Sequence, residues 1–122
     1  LDQSHGWGAA GRDVNVYVFD TGIRFTHQEF EGRARPAVDF TVDPAGRNCF
    51  SNDFTCAVDR QGHGTHVAGT IAGKTFGVAK TVRVHSVKVL SDQGSGSWSW
   101  VIAAVDWVIR NGRRPAIISA SL

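Results

Sequence analysis

Long apolar runs are absent from this sequence. No stretch approaches the roughly 20 residues a helix needs to cross a bilayer, so no membrane-spanning helix is expected. A strong excess of charge is missing too. Thirteen Lys and Arg stand against 11 Asp and Glu, a formal net charge of +2. The basic residues are scattered, which gives no sign of the concentrated positive surface that takes up nucleic acid. The one tight basic group, Arg110, Arg113 and Arg114, falls at an expected helix end, where cations complement the helix dipole. Internal repeats and low-complexity tracts are also lacking. Residues 1–5 turn polar at Asp2 and do not resemble a signal peptide, which says little, because the chain reads as starting inside something larger.

What is present describes an ordinary globular chain. Its 122 residues suffice for one domain with one core, and 42% hydrophobic with 20% charged content is typical of such folds. Residues 116–122, Ala-Ile-Ile-Ser-Ala-Ser-Leu, form an apolar run of the kind a buried strand shows. Folded domains rarely finish inside a core strand, so the chain is expected to be a fragment.

Residues 14–19, Val-Asn-Val-Tyr-Val-Phe, predict a strand that ends at Asp20-Thr21-Gly22, with Gly22 supplying the positive φ of a turn. Residues 41–61 hold Asp, Pro, Gly, Asn, Ser and both cysteines and read as a long surface loop. From His63 to about Gly73 the propensity for helix is poor, since Gly64, Gly69 and Gly73 each cost about 1 kcal/mol against Ala. Ala68, Gly69, Ala72 and Gly73 nevertheless fall at helical spacings and leave a face bare enough for close packing, so a buried helix is expected. Residues 82–90 read as a second strand with a bulge near His85 and Ser86, and residues 91–96 as a loop. A helix over 98–111 follows. Val101, Ala104, Val105 and Val108 would form its core stripe, Ser97 its N-cap and Gly112 its stop. With a last strand after Pro115, the pattern is α/β with a mainly parallel sheet.

In such sheets ligands bind beyond the carboxyl ends of the strands, where Asp20 stands. A carboxylate behind a buried strand needs a partner, and His63 is the candidate. An Asp that accepts from one imidazole nitrogen fixes the tautomer and frees the other nitrogen to act as a base. An Asp and a His 43 residues apart fit an ordinary buried ion pair as well as a catalytic pair.

The surrounding residues add a resemblance. Residues 16–23, Val-Tyr-Val-Phe-Asp-Thr-Gly-Ile, and residues 62–73, Gly-His-Gly-Thr-His-Val-Ala-Gly-Thr-Ile-Ala-Gly, resemble the catalytic-Asp and catalytic-His segments of subtilisin-like serine proteases. Gly77-Val78-Ala79-Lys80 and Val87-Lys88-Val89-Leu90 resemble the stretch leading into the family's substrate loop. Gly94-Ser95-Gly96 resembles the backbone that pairs with bound peptide, and Ser121-Leu122 the start of the Ser-Leu-Gly segment across the cleft. The details are closest to the proteinase K-like branch.

The resemblance implies a subtilisin-like three-layer α/β fold, incomplete here, with residues 1–122 the N-terminal portion of a single peptidase catalytic domain. It implies a serine endopeptidase in the complete protein, with Asp20 orienting His63 as general base. The nucleophilic Ser, in a Gly-Thr-Ser context, and an oxyanion Asn are expected downstream. Ser95, Ser97, Ser99, Ser119 and Ser121 sit in no nucleophile motif, so the fragment alone is expected to be inactive. Leu90, Gly94, Ser95, Gly96, Trp98, Ser121 and Leu122 would line the substrate groove. Gly94-Ser95-Gly96 would offer unblocked backbone groups to peptide bound as an added strand, and Leu90 with Trp98 an apolar wall, unless Trp98 merely packs. Because the family is typically secreted, Cys49 and Cys56 are expected to form a disulfide that stiffens the approach to His63. Catalysis would need no cofactor. Structural calcium is conceivable in the full domain without assignable ligands, and an inhibitory pro-segment is conceivable as a partner besides polypeptide substrates. Neither nucleic acid nor membrane is an expected partner, and the expected location is extracellular.

Other functions fit less well. His63, His66, Cys49 and Cys56 could ligate zinc, but their spacings are wrong for it, and His66 is expected to pack behind the site. Residues 69–75 resemble a phosphate loop with one residue too few between the glycines and no preceding strand. The serious alternative is a non-catalytic, protease-like peptide-binding protein.

Overall fold

The computed structural model describes residues 13–122, so the polar residues 1–5 noted above lie outside the described residues. Five strands form one sheet in the order β3-β2-β4-β1-β5, with β1 at Asn15–Asp20, β2 at Ala34–Asp39, β3 at Arg47–Asn48, β4 at Arg83–Lys88 and β5 at Ala116–Ala120. Pairing is parallel except between β2 and the short β3. Helix α1, His63–Ala72, packs on one face and α2, Trp98–Asn111, on the other. The result is the expected three-layer α/β arrangement.

Strand β1 is buried along its whole length, as a central parallel strand must be. Val16 and Val18 point to the α1 side, and Tyr17 and Phe19 to the α2 side. Phe19 is fully buried, and its removal would cost about 3–5 kcal/mol. Ser97 caps α2 through its hydroxyl, which accepts from the Trp100 N–H at 3.3 Å. Gly112 ends that helix as expected, but its φ is −66°. Close approach is what selects glycine there, since a Cβ would lie 2.6 Å from the Val108 carbonyl oxygen.

Several expectations need correction. Strand β2 is not evident from the sequence, because Pro36 lacks an N–H and its neighbours are poor strand formers. The sheet accommodates the proline with a register shift between Pro36 and Val38, so the irregularity lies in β2 and not in β4 at His85 and Ser86. Helix α1 buries Gly64, Ala68 and Ala72, a single stripe. Gly69 faces open space, and α1 is half-buried rather than buried. In α2, Ala104 and Val108 are buried while Val105 is exposed. Strand β5 pairs only with β1 among the described residues, so Ile117 and Ile118 are exposed instead of buried.

Candidate active site

Asp20 is the last residue of β1, at the carboxyl end of the sheet, and its side chain is wholly buried. The chain turns at once through Gly22, φ 111°, where a Cβ would lie 2.6 Å from the Val58 backbone. The Asp20 carboxylate accepts from the Thr21 N–H at 2.7 Å and from His63 Nδ1 at 2.8 and 2.9 Å. An ionised carboxylate only accepts, so in the neutral ring Nδ1 carries the proton and Nε2 keeps its lone pair. The Asp20 hydrogen bond and negative charge raise the His63 pKa above 6.5; slight burial opposes this and the Asp59 charge adds to it.

His63 opens α1, and the start of that helix is built around a residue that sequence reading missed, Asp59. The first turn of a helix leaves N–H groups without partners. Here Gln61 Oε1 accepts from the His63 N–H, Thr21 Oγ1 from Gly64, and Asp59 Oδ2 from Thr65. Asp59 Oδ1 also accepts from Gln61, Gly62 and the Thr21 hydroxyl, at 2.9, 2.8 and 2.9 Å. Burial pushes the Asp59 carboxyl up, but the Thr65 hydroxyl and the surrounding N–H groups outweigh it and hold the pKa below 3.8. A negative charge at this end also complements the helix dipole. The available signal was an Asp a few residues before a helix start. Close contact does the rest: a Cβ on Gly64 would lie 2.1 Å from the Gly22 carbonyl oxygen, so only glycine lets α1 seat against the Asp20 turn.

A cleft of about 330 Å³ opens beside His63. It is lined by Thr21, Gln61, His63, Leu90, Gln93, Gly94, Ser121 and Leu122. The structure therefore brings four of the proposed groove residues, Leu90, Gly94, Ser121 and Leu122, to one cavity with His63. Ser95, Gly96 and Trp98 lie outside its lining. Trp98 is 76% exposed, so it does not pack among the described residues, and Trp100 is the indole ring set against Gly96. The loop groups are not all unblocked, because the Gly94 N–H donates to Ser91 O at 2.8 Å and the Ser95 carbonyl accepts from Ser91 N–H at 2.7 Å. Both backbone groups of Gly96 are without a partner among the described residues.

Cys49 and Cys56 are joined by a disulfide, with Cα atoms 5.8 Å apart. It closes the loop just ahead of Ala57, whose carbonyl accepts from the Ser86 hydroxyl at 2.8 Å, and so precedes the segment carrying Asp59. Such a short loop stabilises by about 2.5 kcal/mol on the chain-entropy estimate. His66 is exposed on the outer side of α1 and lines a separate hollow with Glu29 and Phe76, so it does not pack behind the site. Residues 69–75 run from the end of α1 into a turn, not from a strand into a helix. Among the described residues no group of three or more His, Cys, Asp or Glu is placed to hold a metal, and no helix is long and apolar enough to cross a membrane.

A buried Asp that holds a solvent-accessible His at the carboxyl end of a mainly parallel sheet, beside an open cleft, defines an α/β protein with the geometry of a general-base site. The chain belongs to the subtilase family, whose model matches residues 11–122. It is 49% identical over its whole length to an extracellular serine proteinase of Thermus sp. (strain Rt41A), of which it covers 27%. It is 45% identical, again over its whole length, to alkaline serine exoprotease A of Vibrio alginolyticus, covering 21% of that protein. Among solved structures, a cold-adapted subtilisin-like serine proteinase matches all of the chain with a TM-score of 0.82 and 43% identity, and 41% of that structure is covered. The chain thus spans about a quarter of the length of the curated relatives it matches.

Proposed function

We propose that residues 1–122 form part of the catalytic domain of a secreted serine endopeptidase. The observation that carries this reading is the placement of His63, which Asp20 holds by Nδ1 while the ring lines a cleft. With Nδ1 engaged, Nε2 is the nitrogen left to take a proton from a serine hydroxyl, and Asp20 stabilises the imidazolium that forms. The serine and an oxyanion-stabilising Asn are expected in the longer protein. Peptide would run past Leu90 and Gly94-Ser95-Gly96 on one side and Ser121-Leu122 on the other. The Gly96 N–H and C=O are the groups best suited to pair with it. Extracellular location draws support from the Thermus relative, which is described as extracellular, and from the disulfide.

The longer protein should be inactivated by one equivalent of a serine-directed phosphonyl reagent, with peptide hydrolysis lost in proportion to labelling. Full activity after complete exposure to the reagent would contradict the serine mechanism. The 122 residues alone should hydrolyse nothing, because among the described residues no hydroxyl is hydrogen-bonded to His63 Nε2.

A further inference from the structure

Lys88 ends β4 in register with Asp20 on the neighbouring parallel strand, and it is only 3% exposed. Lysine is almost never buried unless it is paired. The ammonium has three donors, and each finds an acceptor: Thr21 O at 2.8 Å, Val58 O at 2.9 Å and Asp92 Oδ1 at 2.5 Å. Those acceptors belong to three different segments. Thr21 adjoins Asp20, Val58 adjoins the Asp59 that caps α1, and Asp92 lies in the loop leading to Gly94. The second Asp92 oxygen faces Arg60 at 3.9 Å.

That loop has few other anchors. Among the described residues, every other hydrogen bond of residues 91–97 stays inside the loop or goes to the first turn of α2. We propose that Lys88 is a positioning residue: through Asp92 its buried ammonium sets the substrate loop at a fixed position relative to the turn bearing Asp20. The kinetic consequence rests on the peptidase reading; the structural one does not. Gly96 can pair with a peptide whose scissile bond reaches His63 only while loop and catalytic turn keep their spacing. A neutral side chain at 88 would leave two carbonyls without their donor and the Asp92 carboxylate without its nearest one, while Asp92→Ala removes the link to the loop, with the Arg60 contact, and leaves both carbonyls paired.

The test compares Asp92→Ala, Lys88→Met and Lys88→Arg in the longer protein on two substrates, a tetrapeptide anilide that runs along the loop and a single-residue ester that does not. For Asp92→Ala the loss in kcat/KM should be about tenfold larger on the anilide than on the ester and should fall mainly on KM. Lys88→Met should add a kcat loss on both substrates, and Lys88→Arg should recover part of it. Equal proportional losses on the two substrates overturn the proposal. Amide hydrogen exchange reads the same link without catalysis. In Asp92→Ala, residues 91–97 should exchange at least tenfold faster while α1 keeps its protection, and unchanged exchange there overturns the proposal. If Lys88→Met does not fold, Asp92→Ala decides both measurements. A wild-type protein that hydrolyses neither substrate, yet whose loop responds in exchange, removes the peptidase function and leaves the anchor standing.

Discussion

His63 Nδ1 lies nearly equidistant from both oxygens of Asp20, at 2.8 and 2.9 Å, so the buried carboxylate grips the ring from one edge. Folding therefore favours the imidazolium and raises the His63 pKa above 6.5. The stabilising contribution is fully present below pH 6.5 and is lost as pH rises through the raised folded value. On the proposed peptidase reading activity runs the other way, because the base must be neutral to accept a proton. NMR titration of the ring should give a midpoint above 6.5, and Asp20→Asn should lower it. A midpoint unmoved by Asp20→Asn would show that the pair is not coupled.

His85 behaves in the opposite sense. Burial, reinforced by the nearby Arg113 and Arg83 guanidiniums, depresses its pKa to about 4. Its ring stacks on Tyr17 with centroids 4.5 Å apart and hydrogen-bonds to Asn15 Oδ1 at 2.8 Å. Because the folded pKa lies below the unfolded one, stability is complete above pH 6.5 and falls as pH drops toward 4, by about 3 kcal/mol over that window. Denaturant unfolding at several pH values should show this slope in the wild type and a flatter one in His85→Phe. Parallel slopes for the two proteins would exclude His85 as the source.

The Cys49–Cys56 bridge makes a direct chemical prediction. Thiol titration of unfolded, unreduced protein should find no free cysteine from this pair, and two after reduction. Two free thiols before reduction would refute the bridge.

Trp98 projects into solvent at the start of α2, beside the Gly94-Ser95-Gly96 loop. As an apolar wall for substrate, it predicts that Trp98→Ala weakens cleavage of peptides bearing a large apolar residue at the matching position about tenfold more than cleavage of those bearing Ala, roughly the value of a buried aromatic contact. Equal losses across such a substrate pair would remove Trp98 from the groove.

Much of the site could be read in the sequence because its chemistry sits where local patterns break. Asp20 ends a strand of apolar residues, His63 opens a glycine-rich helix, and both lie in segments resembling subtilisin-like ones. Strand β2 could not be read, since Pro36 speaks against a strand and only the neighbouring β4 makes its register shift tolerable. The exposure of Ile117, Ile118 and Val105 was equally hidden. An apolar residue shows a tendency to be buried, not whether another element covers it. Asp59 and Lys88 escaped notice for a different reason. Their roles arise largely from backbone groups of Thr21, Val58, Gln61 and Gly62, and beyond an Asp set shortly before a helix, hydrogen bonds to main chain leave little residue-type signature.

On the proposed reading His63, held by Asp20, is the general base of a serine peptidase. The most direct test is steady-state hydrolysis of a peptide substrate by the longer protein and its His63→Ala variant, both shown by circular dichroism to be folded. Members of such a triad act as a unit, so kcat should fall on the order of 10⁶-fold with far less change in KM. A folded His63→Ala variant that keeps wild-type turnover would contradict the account.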